Sequence, residues 1–164
     1  MVNNSAIVNI IDQITEVSGE APCKKTLQKM VYLIEEKNID LGCEYGIHFY
    51  GPYSADLDFA VRELCDQGVL WIDYTPMDHK IMVEDKSQLS SDYSNAEMDK
   101  IIKTFAKCSP SDLELLATAL YVYGKKNDVE TIPDGVKKIK GSKYNDTRIN
   151  KAIDQLTENG YIIS

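Results

Sequence analysis

The stretch 113–122, Leu-Glu-Leu-Leu-Ala-Thr-Ala-Leu-Tyr-Val, constrains this chain more than any other part of it. Eight of its ten residues are apolar, too many for the single stripe of a surface helix, so a helix here must be enclosed on most sides. The residues before it make a strong helix start, with Ser109 as cap, Pro110 at the first helical position and Asp112 in the first turn. Tyr123-Gly124 is the expected stop. A buried central helix needs other elements around it, and the remaining sequence supplies them.

Ile7, Ile10, Ile11, Ile14 and Val17 recur at three- and four-residue spacing and predict a helix over 5–18, closed by Gly19. A second helix is expected over 23–37, with Leu27, Met30, Val31 and Ile34 inward and Lys24, Lys25 and Lys29 mostly outside. Residues 47–50 read as a short strand stopped by Gly51-Pro52. Ser54 then caps a third helix over 54–67, with Asp56 and Asp58 in its first turn. Two strand-like runs, 69–74 and 80–84, flank Thr75-Pro76-Met77-Asp78 and predict a hairpin. Beyond the polar connection 84–94, helices are expected over 95–107, 133–140 and 145–159, with short strands at 129–132 and 161–163. Residues 60–70 and 152–162 share one pattern, in which Ala and Leu four apart lead to Gly and an apolar run. Together these readings predict a mainly helical α+β fold. Two winged-helix-like units, 1–88 with a hairpin wing and 89–164 without one, pack into one compact protein.

The 164 residues carry 18 Lys and Arg against 26 Asp and Glu, a net charge of −8. That balance disfavours nucleic-acid binding over the whole surface. No apolar run is long enough to span a bilayer, and 1–5 lacks the basic start of a secretion signal, so a cytoplasmic protein is expected without a membrane partner. Cys23, Cys43, Cys65 and Cys108 have no metal-finger spacing and read as reduced thiols. Metal ligation by Cys43, His48, Cys65 and His79 would need a gathering in space that no local pair signals. Phosphate-loop, dinucleotide, zinc-protease and serine-hydrolase motifs are absent, so no catalytic residue, metal or cofactor is expected.

The densest unusual cluster is Tyr45-Gly46-Ile47-His48-Phe49-Tyr50-Gly51-Pro52-Tyr53-Ser54. Rigid rings with polar tips at Tyr45, His48, Tyr50 and Tyr53 would suit a partner-binding surface. Alternatively the corner is structural, with Ile47 and Phe49 in the core and Tyr45 at the surface. Lys24-Lys25-Thr26-Leu27-Gln28-Lys29-Met30-Val31-Tyr32-Leu33, Phe49-Tyr50-Gly51-Pro52-Tyr53-Ser54 and Leu64-Cys65-Asp66-Gln67-Gly68-Val69-Leu70 resemble the YwgA-like bacterial proteins. More distantly, these segments and Ser109-Pro110 with 113–118 resemble the Panacea, or SocA-like, antitoxin domains. The resemblance implies a winged-helix-like scaffold that works through other proteins, and it brings no catalytic residues.

Residues 125–151 hold eight basic side chains against four acids, a local +4 that leaves −12 elsewhere. The alternative function this charge suggests is transcription regulation through a DNA-binding helix pair. Lys137, Lys138, Lys140 and Lys143 would hold phosphates, while Asn145, Thr147, Arg148 and Lys151 reach base edges. The alternative is a solvated basic face. The leading expectation is a non-enzymatic protein-interaction or regulatory protein, antitoxin-like or adaptor-like, with a toxin or regulatory protein as partner. A homo-oligomer is compatible with the same sequence, and an enzyme with a non-local site is the third reading.

Overall fold

A computed structural model describes residues 1–49, 51–90 and 95–163. The all-round apolar helix is α5, Pro110–Lys126, and it lies at the centre as its composition requires. Residues 113–120 are all buried, and α5 packs against α2 (Lys24–Glu35), α6 (Ile132–Lys140), α7 (Asp146–Glu158) and strand β2 (Gly51–Tyr53). Its start is as expected: the Ser109 side chain accepts from the Asp112 N–H. Its end lies beyond Tyr123-Gly124. Lys125 and Lys126 occupy the last turn, where cations suit the negative end of the dipole, and Asn127 closes it at φ 53°.

Around α5 stand α1 (Asn4–Ser18), α2 (Lys24–Glu35), α3 (Ala55–Asp66), α4 (Ala96–Phe105), α6 (Ile132–Lys140) and α7 (Asp146–Glu158). Two antiparallel hairpins complete the mainly helical α+β fold, β1 (Gly46–His48) with β2 (Gly51–Tyr53) and β3 (Leu70–Asp73) with β4 (Lys80–Val83). The order α1–α2–α3–β3–β4 is compatible with a winged-helix-like unit. One continuous core nonetheless joins residues on both sides of position 88, with α1 packed on α4 and α2 on α5.

Three short strand expectations differ from the structure. The first, 47–50, is not ended by Gly51-Pro52; instead Gly51 begins the returning strand, with Ile47 opposite Pro52 and His48 opposite Gly51. A two-stranded sheet is all edge, so the missing Pro52 N–H costs no inner ladder bond. The second, 129–132, is a 3-10 turn, Val129–Thr131, running into α6, because the Asp128 side chain accepts from the Glu130 N–H and bends the chain. The third, 161–163, forms no strand, because the Tyr161 and Ile162 N–H groups are both spent on the Leu156 carbonyl, 2.9 and 3.4 Å away.

That closure also explains the repeated pattern. Gly68 and Gly160 both take positive φ, 76° and 78°, and the next N–H bonds Leu64 or Leu156 at 2.9 Å in each case. The likeness lies in how a helix ends. Only the first copy leads into a strand.

Candidate functional site

Two of the sequence segments that carry the family resemblance, Lys24–Leu33 and Phe49–Ser54, meet in space. The Gln28 side chain of α2 grips the Ser54 backbone twice, donating to its carbonyl and accepting from its N–H, both at 2.9 Å. Ser54 is fully buried, and its hydroxyl accepts from the Leu57 N–H as the cap of α3. Gln28→Ala would strand a buried donor and a buried acceptor together, so a loss of about 1–3 kcal/mol is expected. Urea denaturation measures it, with exposed Lys138→Ala as a control expected within about 0.5 kcal/mol of the parent. A Gln28→Ala midpoint equal to that control would mean the double grip adds nothing.

One residue further on, Lys29 overturns the expected outward position. It is 1% exposed, and its amine donates to the Pro52 carbonyl at 2.6 Å. A lysine stem is apolar enough to cross a core when an acceptor waits at its end. Burial pushes its pKa down to about 8, with Glu114 opposing the fall and Lys25 and Lys140 adding to it.

Glu114 is the other feature hidden from periodicity. It lies on the most apolar helix of the chain and is 0% exposed. Its Oε1 meets Lys140 at 2.5 Å and Lys143 at 2.9 Å, and its Oε2 meets Lys25 at 2.7 Å. The buried Tyr144 hydroxyl is 3.1 Å from Oε1 and 3.1 Å from the Ser111 carbonyl. Burial alone would raise the Glu114 carboxyl. Hydrogen bonds from Lys140, Lys25 and Lys143 outweigh it and hold the pKa at about 2. Lys140 also donates to the Phe49 carbonyl. The β1–β2 hairpin is therefore clamped through its backbone by two buried lysines from opposite ends of the sequence.

The aromatic corner divides in two. Tyr45 is no surface residue: its phenol oxygen is buried, its ring meets Tyr32 edge-on at 5.0 Å, and burial pushes its pKa above the ordinary tyrosine range. Ile47 and Phe49, expected in the core under the structural reading, are instead 40% and 72% exposed. Ile47 lies on β1 and Phe49 in the turn after it, whereas it is β2 that packs against α2 and α5. His48 and Tyr53 lie ring to ring at 5.0 Å. Tyr50 lies outside the described residues.

Of the eight candidate DNA contacts, five have intramolecular work. Lys140 and Lys143 hold Glu114, Lys137 meets Asp146 at 2.5 Å, and Arg148 pairs with Asp112 at 2.8 Å. Asn145 caps α7 by accepting from the Arg148 N–H. Lys138, Thr147 and Lys151 are exposed. Sequence reasoning missed Gln28, Lys29 and Glu114. The signals for them were two polar residues, Gln28 and Lys29, inside an apolar-faced helix and a lone carboxylate inside an apolar run.

Cys23 and Cys43 are buried, Cys65 and Cys108 half-buried, and all four are free thiols. Among the described residues no three His, Cys, Asp or Glu side chains gather as they would around a metal ion. Among them, too, no helix is long and apolar enough to cross a membrane.

Fold and site together define a mainly helical α+β protein whose small aromatic hairpin is held by buried lysines around one carboxylate. No family model matches the chain. It is similar to the uncharacterized protein YwgA of Bacillus subtilis (strain 168), 29% identical over 161 residues that cover 86% of this chain and 89% of that one. This similarity supports the YwgA-like reading of the same motifs.

Proposed function

We propose that this chain is a non-enzymatic protein-interaction module, antitoxin-like or adaptor-like, that offers the β1–β2 hairpin to a protein partner. The observation that carries this reading is Phe49. The residue is 72% exposed while Lys140 donates to its carbonyl and lies 4.7 Å from its ring centre, so a large apolar group is presented on an anchored backbone. Fixing such a group before binding lowers the ordering cost of association. Ile47, two residues earlier, adds apolar area on the same ribbon. The resemblance of the clamping motifs to Panacea, or SocA-like, antitoxin domains supports the same reading.

Affinity purification of the full chain from its native cells, followed by titration of the recovered partner, tests it. Phe49→Ala with Ile47→Ser is expected to weaken that partner by about tenfold or more, the effect of losing an interface anchor. Its melting temperature should stay unchanged, and Lys138→Ala should bind as the parent does. Undiminished binding by the hairpin variant would overturn the proposal. Neutralisation of a growth-inhibiting partner would distinguish antitoxin from adaptor.

A further inference from the structure

Beside the clamp, Lys24, Lys25, Gln28 and Lys29 of α2 and His48 and Tyr53 of the hairpin line a cavity of about 380 Å³. Its size falls in the range of small-molecule sites. Among the described residues, basic side chains outnumber acidic ones around it. Lys24 is matched by Asp58 at 2.9 Å. Lys25 shares the Glu114 carboxylate with Lys140 and Lys143, whereas the Lys29 amine donates to the neutral Pro52 carbonyl and feels the Glu114 charge from further away. Among the described residues, three ammonium groups from α2, α6 and the turn after it thus hold one buried carboxylate from α5, with Lys29 as a fourth cation nearby. Burying a cation is costly, and the low pKa of Lys29 expresses that cost, with the Lys25 and Lys140 charges adding to it and Glu114 only partly offsetting it. An anion entering the cavity would relieve it. The His48 and Tyr53 rings offer a wall for something larger than a bare ion. Gln28, its amide committed to Ser54, forms a rigid part of the lining.

We propose that this cavity binds a small phosphate monoester, its phosphate between Lys25 and Lys29 and its organic part against His48 and Tyr53. A doubly charged phosphate suits the local excess better than a single carboxylate, and lysine binds it as a point charge without needing a planar fork. This proposal goes beyond the protein-interaction reading and does not rest on it.

Calorimetric titration of the full chain with inorganic phosphate, ribose 5-phosphate and adenosine monophosphate tests it, with adenosine and sodium chloride of equal ionic strength as controls. The expected result is saturable binding of the monoesters, about tenfold tighter than inorganic phosphate, and none of adenosine. Lys29→Met is expected to lose the binding by about tenfold or more, its fold checked by circular dichroism. His48→Ala, at an exposed position, should bring monoester affinity down towards that of inorganic phosphate, so the proposal stays falsifiable if Lys29→Met does not fold. A melting shift that chloride reproduces, no saturable heat at millimolar ligand, or monoester binding unchanged in His48→Ala would each overturn it. Binding of inorganic phosphate with no gain from the organic part would also overturn it.

Discussion

Glu114→Ala is expected to destabilise the protein by about 3–5 kcal/mol, the cost of breaking a buried ion pair from one side. The carboxylate is 0% exposed and receives Lys25, Lys140 and Lys143, so its removal leaves cations packed together with nothing between them. Urea denaturation measures the effect as a lower midpoint at unchanged slope. A loss below about 1 kcal/mol would show that the lysines are held by their other contacts. The same group predicts how the fold responds to acid. Its folded pKa, about 2, lies below its ordinary 4.5. A carboxyl depressed on folding contributes stability that is complete above the unfolded value and lost as pH falls through the folded one. The parent should therefore lose on the order of 3 kcal/mol from this group between about pH 4.5 and 2, and Glu114→Ala should lack that component.

Gly51→Ala is expected to cost about 3 kcal/mol, combining a strained backbone with overpacking. Gly51 has φ 89°, where a side chain is disfavoured, and a Cβ there would stand 2.6 Å from the Thr118 hydroxyl oxygen. Thr118 is fully buried on α5 and cannot swing into solvent. Adding Thr118→Ala removes the clashing oxygen and should recover the steric part, leaving about 1 kcal/mol of backbone strain. A double-mutant cycle reads this as coupling between the two sites. Additive losses would place the whole penalty in the backbone. This close approach also accounts for glycine in the Tyr-Gly-Pro-Tyr-Ser element, because the hairpin lies directly against the central helix.

Most of the helical architecture was legible from residues close together in the chain. Apolar spacing of three and four located the helices, and Asn95, Ser54, Ser109 and Asn145 cap them by short-range bonds to backbone N–H groups. The β3–β4 hairpin followed from two strand-like apolar runs around a Pro-containing turn. The expectations that failed were the short ones. Three or four apolar residues do not distinguish a strand from a helix end, and the outcome at 129–132 and 161–163 was set by where individual N–H groups found acceptors.

By itself, then, the sequence determined the order of the helices, the caps at Ser54 and Ser109 and the enclosure of 113–122, because each depends on neighbours within a turn or two. Only the tertiary structure decided that Lys29 and Glu114 are buried, that Phe49 is exposed and that two lysines clamp one hairpin. Lys29 finds the Pro52 carbonyl 23 positions away, and Lys140 finds the Phe49 carbonyl 91 positions away. Periodicity reports which side of a helix is apolar. It carries no record of a distant carbonyl or carboxylate that makes burying a charge tolerable.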